Sequence, residues 1–223
     1  MKVTYIHHSG FLIETERFYY LFDYEKGTLP ELNTEKPIFV FSSHSHGDHY
    51  TPDIFPKLTN IGMQNIKAIL SDDIEIPEKI AALQVSPEKN YELGTELKLT
   101  TFRSTDLGVA FLIEDRDELI YHAGDLNDWV WDEESEAYNT QMTIDYQKQI
   151  RLLSEKLRGR EIDCAFVVLD PRQEKDYDRG MCYFLEHISA KQVYPMHYWD
   201  DPSIIEIFLK DHPEYKSLIQ RIE

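Results

Sequence analysis

The sequence predicts an α/β protein in which β-sheets are covered by helices. Short β-branched and aromatic runs recur in both halves of the chain, and a helical stripe of apolar residues appears in the later part. No internal repeat, low-complexity tract or dividing linker interrupts them. At 223 residues and about 150 residues per domain, one large domain spanning 1–223 fits better than two cramped ones. A hydrophobic content of 42% with 13% aromatics supplies a core and excludes disorder as the main state.

The strands are read in order. Residues 2–6, 11–14 and 18–22 are β-branched and aromatic segments separated by Gly10 and by a polar turn at Thr15-Glu16-Arg17, which predicts an antiparallel meander. After a loop over 27–37, residues 38–42 form a buried-type strand that leads straight into Ser43-His44-Ser45-His46-Gly47-Asp48-His49. Thr51-Pro52-Asp53 then reads as a helix start, with Pro at the first helical position. Further strands are expected at 67–70, 83–86, 96–102, 109–114 and 118–122. Met142, Tyr146, Ile150, Leu153 and Leu157 are spaced by 4, 4, 3 and 4 and define one helix face that ends at Gly159. A buried strand at 163–169, a helix at 181–188, a strand at 192–196 and a helix at 202–209 complete the pattern.

Charge narrows the partners. With 23 Lys and Arg against 41 Asp and Glu, the net charge is −18. Such a field opposes polyanions, so nucleic acid is not an expected partner and a small-molecule substrate is. The longest apolar run, Cys164 to Leu169, is far short of the ~20 residues of a membrane span. The N-terminus lacks the pattern of a secretory signal, so a cytoplasmic protein without membrane contact is expected. Cys164 and Cys182 read as small buried hydrophobes rather than a disulfide. Oligomeric state is not legible.

Four ligand-type side chains, His44, His46, Asp48 and His49, fall within six residues on a strand-to-helix loop. A loop turns alternate side chains toward one point, and imidazole with carboxylate suits Zn2+, Fe2+ or Mn2+. Tyr121-His122-Ala123-Gly124-Asp125 and Pro195-Met196-His197-Tyr198 supply two more candidates, Asp125 and His197, at strand ends.

Together with the opening Ile6-His7-His8-Ser9-Gly10-Phe11-Leu12-Ile13-Glu14 and Phe22-Asp23, these segments resemble the metallo-β-lactamase superfamily of metal-dependent hydrolases, in the branch related to the ascorbate-phosphate lactonases. The resemblance runs from about residue 1 to about residue 200. It implies an αββα four-layer sandwich and two zinc-type sites. One would use His44 and His46 with a third ligand; the other would use Asp48, His49 and His197; Asp125 would bridge them. The implied nucleophile is a metal-bound hydroxide, with Asp48 or Asp106 handling protons.

One departure stands out. Where the family supplies a further histidine, this chain reads Phe102-Arg103-Ser104-Thr105-Asp106-Leu107. Asp106 as an oxygen ligand, a water held by Ser104 or Thr105, and a weak or empty first site all fit this gap. A turn-capping role for Asp106 also fits. His8 and Asp23 are candidate partners of the ligands, and either also reads as an ordinary strand-end residue. Trp129 is expected either to wall a substrate pocket or to anchor a loop. Arg172 leaves a buried strand beside Pro171, where its planar fork suits an anionic substrate or a structural salt bridge. His122 is expected to pack within the sheet.

The resulting expectation is a hydrolase of a small polar or anionic metabolite, a lactone or phosphoester. A non-catalytic metal-binding or sensing protein on the same fold is the alternative. A nuclease is the third reading, disfavoured by the charge.

Overall fold

The computed structural model describes residues 1–78 and 80–221, which form two compact units, Met1–Ser86 and Pro87–Glu223. In the first unit, β1 (Lys2–His7), β2 (Gly10–Glu14) and β3 (Tyr19–Phe22) make the expected antiparallel meander. The sheet continues in sequence order with β4 (Ile38–Ser42), β5 (Ile66–Ser71) and β6 (Ala82–Val85), all parallel. Parallel neighbours need a crossover, and α1 (Ile54–Asn60) lies between β4 and β5. It begins after Asp53, slightly later than Pro52 suggests.

All five residues of β4 are buried, which explains its unbroken apolar sequence. Phe22 of β3 faces Phe41 of β4 in register, so the two strands finish side by side and deliver Asp23 and Ser43 to the same edge. Ile54, Phe55 and Leu58 of α1 pack with Leu12, Leu21, Val40 and Leu70 of the sheet.

The second unit repeats the plan. β7 (Asn90–Gly94), β8 (Leu97–Arg103), β9 (Val109–Asp115) and β10 (Glu118–His122) are antiparallel, followed by parallel β11 (Cys164–Val168) and β12 (Val193–Met196). The long helix α2 (Glu136–Leu157) joins β10 to β11, and α3 (Arg179–His187) joins β11 to β12. The last α-helix, α4 (Ser203–Asp211), follows β12. Tyr146, Ile150, Leu153 and Leu157 of α2 are buried, as the stripe requires, and the helix ends at Arg158 in the left-handed region beside Gly159.

β7 is the one strand that the sequence does not announce. It pairs only with β8 at the sheet edge, and its Asn-Tyr-Glu-Leu-Gly leaves alternate residues exposed. Among the described residues, no helix is long and apolar enough to cross a membrane.

The side chain of Ser135 accepts a hydrogen bond from Tyr138 N at 3.2 Å and caps α2. Ser135→Ala is expected to cost about 1 kcal/mol of stability. Urea unfolding of both proteins measures this, and an unchanged midpoint would show that the cap carries no stability.

Candidate functional site

In the first unit the site is organised by Asp23, fully buried just beyond β3. Its Oδ1 accepts from Ser43 N at 2.7 Å, and its Oδ2 accepts from Ser43 Oγ at 2.7 Å. The same Oδ2 lies 2.9 Å from His49 Nδ1. Because the Ser43 hydroxyl gives its proton to Asp23, its oxygen accepts from His44 Nδ1, 2.9 Å away. One carboxylate thus fixes His49 directly and His44 through Ser43. Both imidazoles then carry their proton on Nδ1 and present Nε2 as the ligating nitrogen.

His44 and His49 are fully buried and their rings lie 4.2 Å apart. Burial, then the neighbouring His49, with a smaller contribution from His46, pushes the His44 pKa down to about 3. It therefore stays neutral, the form that ligates a metal. His46 is exposed, with Nδ1 3.0 Å from His44 Nε2. Asp73 accepts from Ser45 N at 2.8 Å and pins the loop. His8 is buried, with Nε2 3.6 Å from Asp48 Oδ2. Single donor atoms of His8, Asp48 and His49 all lie within 4.8 Å of one another.

The second unit uses the same device. Asp170 is fully buried beyond β11, and the register of Val168 with Met196 sets it beside His197 at the end of β12. Asp170 Oδ2 lies 2.8 Å from His197 Nδ1, and His197 Nε2 lies 3.4 Å from Asp125 Oδ1. Burial opposes a charged His197, but Asp125 and Asp170 together outweigh it and raise its pKa. Burial likewise works against a charged Asp170, and the bonds from His197 and Arg172 overcome it, bringing the carboxyl down to about 2.

Asp125 sits on a braced loop. Trp129 Nε1 donates to Asp125 O at 2.8 Å, and Thr105 Oγ1 donates to Asn127 O at 2.6 Å while accepting from Asn127 N at 3.0 Å. A carboxylate oxygen of Asp106 lies within 4.8 Å of one of Asp125. The turn around Asp106 is held by Ser104, whose hydroxyl accepts from Asp106 N at 3.1 Å. His122 is buried in β10 with Nδ1 accepting from Gly124 N.

Two aromatic and cationic candidates take particular roles. Trp129 is 6% exposed and packs edge-on against His197 at 5.4 Å. The exposed indole of this unit is Trp199, 44% accessible. Arg172 directs Nε and Nη2 at Asp170 and lies 4.5 Å from the Trp199 ring centroid. Its side chain is about half exposed. The sequence reading missed Asp170, Ser43 and Thr105 as supports. A lone Asp closing an apolar strand was the only available signal for Asp170.

The donor chemistry fits a divalent cation. Neutral imidazoles anchored at Nδ1 by carboxylate or hydroxyl, with aspartates beside them, are the ligand set of zinc-type hydrolytic sites. In the second unit, a cation would take the place of the positive charge that Asp125 and Asp170 favour on His197.

Residues 2–141 match the model of the β-lactamase superfamily domain. No curated protein sequence matches significantly. Igni18, a metallo hydrolase of the hyperthermophilic archaeon Ignicoccus hospitalis, is 16% identical with a TM-score of 0.66, over 99% of this chain and 94% of its own. YhfI of Bacillus subtilis, a metallo-β-lactamase fold protein, is 14% identical with a TM-score of 0.56, over 96% of this chain and 89% of its own. CmlA, a diiron β-hydroxylase of Streptomyces venezuelae, is 11% identical with a TM-score of 0.60; the match spans 99% of this chain and 52% of CmlA. At these identities the likeness concerns fold, and it agrees with the α/β class and αββα architecture expected from the sequence. The family match covers well over half of the chain, which belongs to the β-lactamase superfamily and has the metallo-β-lactamase fold.

Proposed function

We propose that residues 1–223 form one hydrolase domain acting on a small polar or anionic metabolite, a lactone or phosphoester, with two zinc-type cations. His44, His46, Asp48, His49, Asp125 and His197 are the proposed ligands, and Asp106 stands where the family's further histidine would be. The observation that carries this reading is the pair of buried carboxylates, Asp23 and Asp170, each bonded to Nδ1 of an imidazole. A buried ionised carboxylate is costly unless fully bonded, and here each orients a histidine as metal sites require. Bound cations would supply Lewis acidity and activate water near neutral pH.

The chain's own groups divide the remaining work. Asp125, on a loop braced by Trp129 and Thr105, offers a negative charge to a cation. Asp48, about one-third exposed and close to His8, is suited to holding or passing a proton at its carboxylate. Arg172, its side chain about half exposed beside Trp199, is suited to an anionic group. The net charge of −18 argues against polynucleotides and for small substrates. The choice of lactones rests on the resemblance of residues 6–14 to the lactonase-like branch.

Hydrolysis of chromogenic lactones and phosphoesters by the purified protein is expected to stop on chelation and return with Zn2+ or Mn2+. Metal binding without turnover across a wide panel would instead support the non-catalytic metal binder. Arg172→Ala is expected to raise KM roughly tenfold for an anionic substrate, the loss of one charge-assisted contact, and to change KM for a neutral analogue much less. Equal changes would reduce Arg172 to a support of Asp170. In metal titrations, the hydrolytic ligand set is expected to fill in two steps of unequal affinity, with Asp106→Ala losing the weaker one. Two equally tight steps in the variant would remove Asp106 from the ligands.

A further inference from the structure

A second cluster of donor atoms lies in the second unit, outside the ligand set proposed above: Asp178, Cys182 and His212. Asp178 precedes α3 and Cys182 lies four residues later, so both occupy one face of the helix start. His212 follows α4, its backbone N bonded to Phe208 O at 2.8 Å and its ring packed on Phe208 at 4.7 Å. The three donor atoms lie within 4.8 Å of one another.

An aspartate at a helix N-cap ordinarily bonds the free N–H groups of its own helix. Asp178 makes no such bond. Its Oδ2 instead accepts from His212 Nε2 at 2.7 Å. Cys182 Sγ lies 3.6 Å from the same nitrogen and 3.9 Å from Nδ1. A nucleophile relay would need the carboxylate and the thiol on opposite ring nitrogens; here the carboxylate is on Nε2 and the sulfur lies beside the ring, nearly equidistant from the two nitrogens. Proximity of sulfur, imidazole nitrogen and carboxylate oxygen suits a cation between them. Tetrahedral zinc with ordinary bond lengths sets S and N about 3.5 Å apart, so the His212 imidazole would turn to aim Nε2 between the sulfur and the carboxylate. The carboxylate would withdraw by about 0.6 Å to exchange its hydrogen bond for a metal bond.

We propose that Asp178, Cys182 and His212 form a separate zinc-type site that clamps the start of α3 to the end of α4, with water in the fourth position. On binding, the thiol proton leaves to solvent and the thiolate sulfur takes its place on the metal.

Cobalt(II) titration of the chelator-stripped full chain tests this. The ligands proposed for hydrolysis include no sulfur, and Cys164, the other cysteine, is fully buried in β11. A near-ultraviolet thiolate-to-cobalt band therefore reports this cluster alone. The band is expected to saturate at a single equivalent, to vanish in Cys182→Ser, and to persist in Cys164→Ser and in His46→Ala. His212→Gln, with unchanged circular dichroism, is expected to lose the same equivalent of cobalt. Cobalt binding without the band, or a band that survives Cys182→Ser, would overturn the proposal. Neither result bears on the hydrolase reading, which is read by turnover.

Discussion

The functional edge of each unit depends on one interaction, a buried carboxylate at the end of one parallel strand holding Nδ1 of a histidine. Asp23 does this for His49, and Asp170 does it for His197. Neither aspartate has solvent contact, and a carboxylate so placed is costly unless its oxygens are hydrogen-bonded. The bonds that satisfy it also set the imidazole's tautomer and aim. Stability and ligand geometry are therefore the same contacts, and cutting one would leave an uncompensated charge worth about 3–5 kcal/mol.

The strand ends that carry these groups are not relaxed. His8, Asp23, His197 and Trp199 have φ of 53°, 40°, 67° and 50°, a left-handed conformation that costs non-glycine residues roughly 1–2 kcal/mol each. In a strand, side chains alternate between faces. A left-handed residue just past the last ladder bond breaks that alternation and turns Asp23 and His197 along the edge. The parallel registers of β3 with β4 and of β11 with β12 supply the rigid frame that holds the strained residues.

What the sequence disclosed follows from how local each signal is. His44, His46, Asp48 and His49 were legible because four donors crowd one loop, and α2 was legible because its stripe recurs along one helix face. Asp23 and Asp170 stand 26 and 27 residues from the histidines they hold, and only strand pairing joins them. Asp170 was consequently passed over in favour of the more conspicuous Arg172. Trp129 and Trp199 flank ligand candidates equally in sequence, yet the first is buried and the second exposed. That difference arises from which indole the Asp125 loop closes over, a tertiary property with no local pattern. β7 was missed because an edge strand need not be apolar.

The two carboxylates share a device but differ in their remaining partners, and the difference has a chemical consequence. Asp23 gives its other bonds to the backbone and hydroxyl of Ser43, a neutral partner that passes the restraint on to His44. Asp170 gives its own to the guanidinium of Arg172 and the indole of Trp199. Arg172 thereby offsets part of the negative charge that Asp125 and Asp170 direct at His197, opposing the rise of its pKa. Without that cation the pull of the two carboxylates on a charged His197 would be less opposed. The guanidinium that bonds Asp170 thus also acts on the charge of His197, as a lesser influence than either carboxylate. Fold alone does not fix the chemistry, since a diiron hydroxylase shares it. Such local charge settings decide what the shared frame can do.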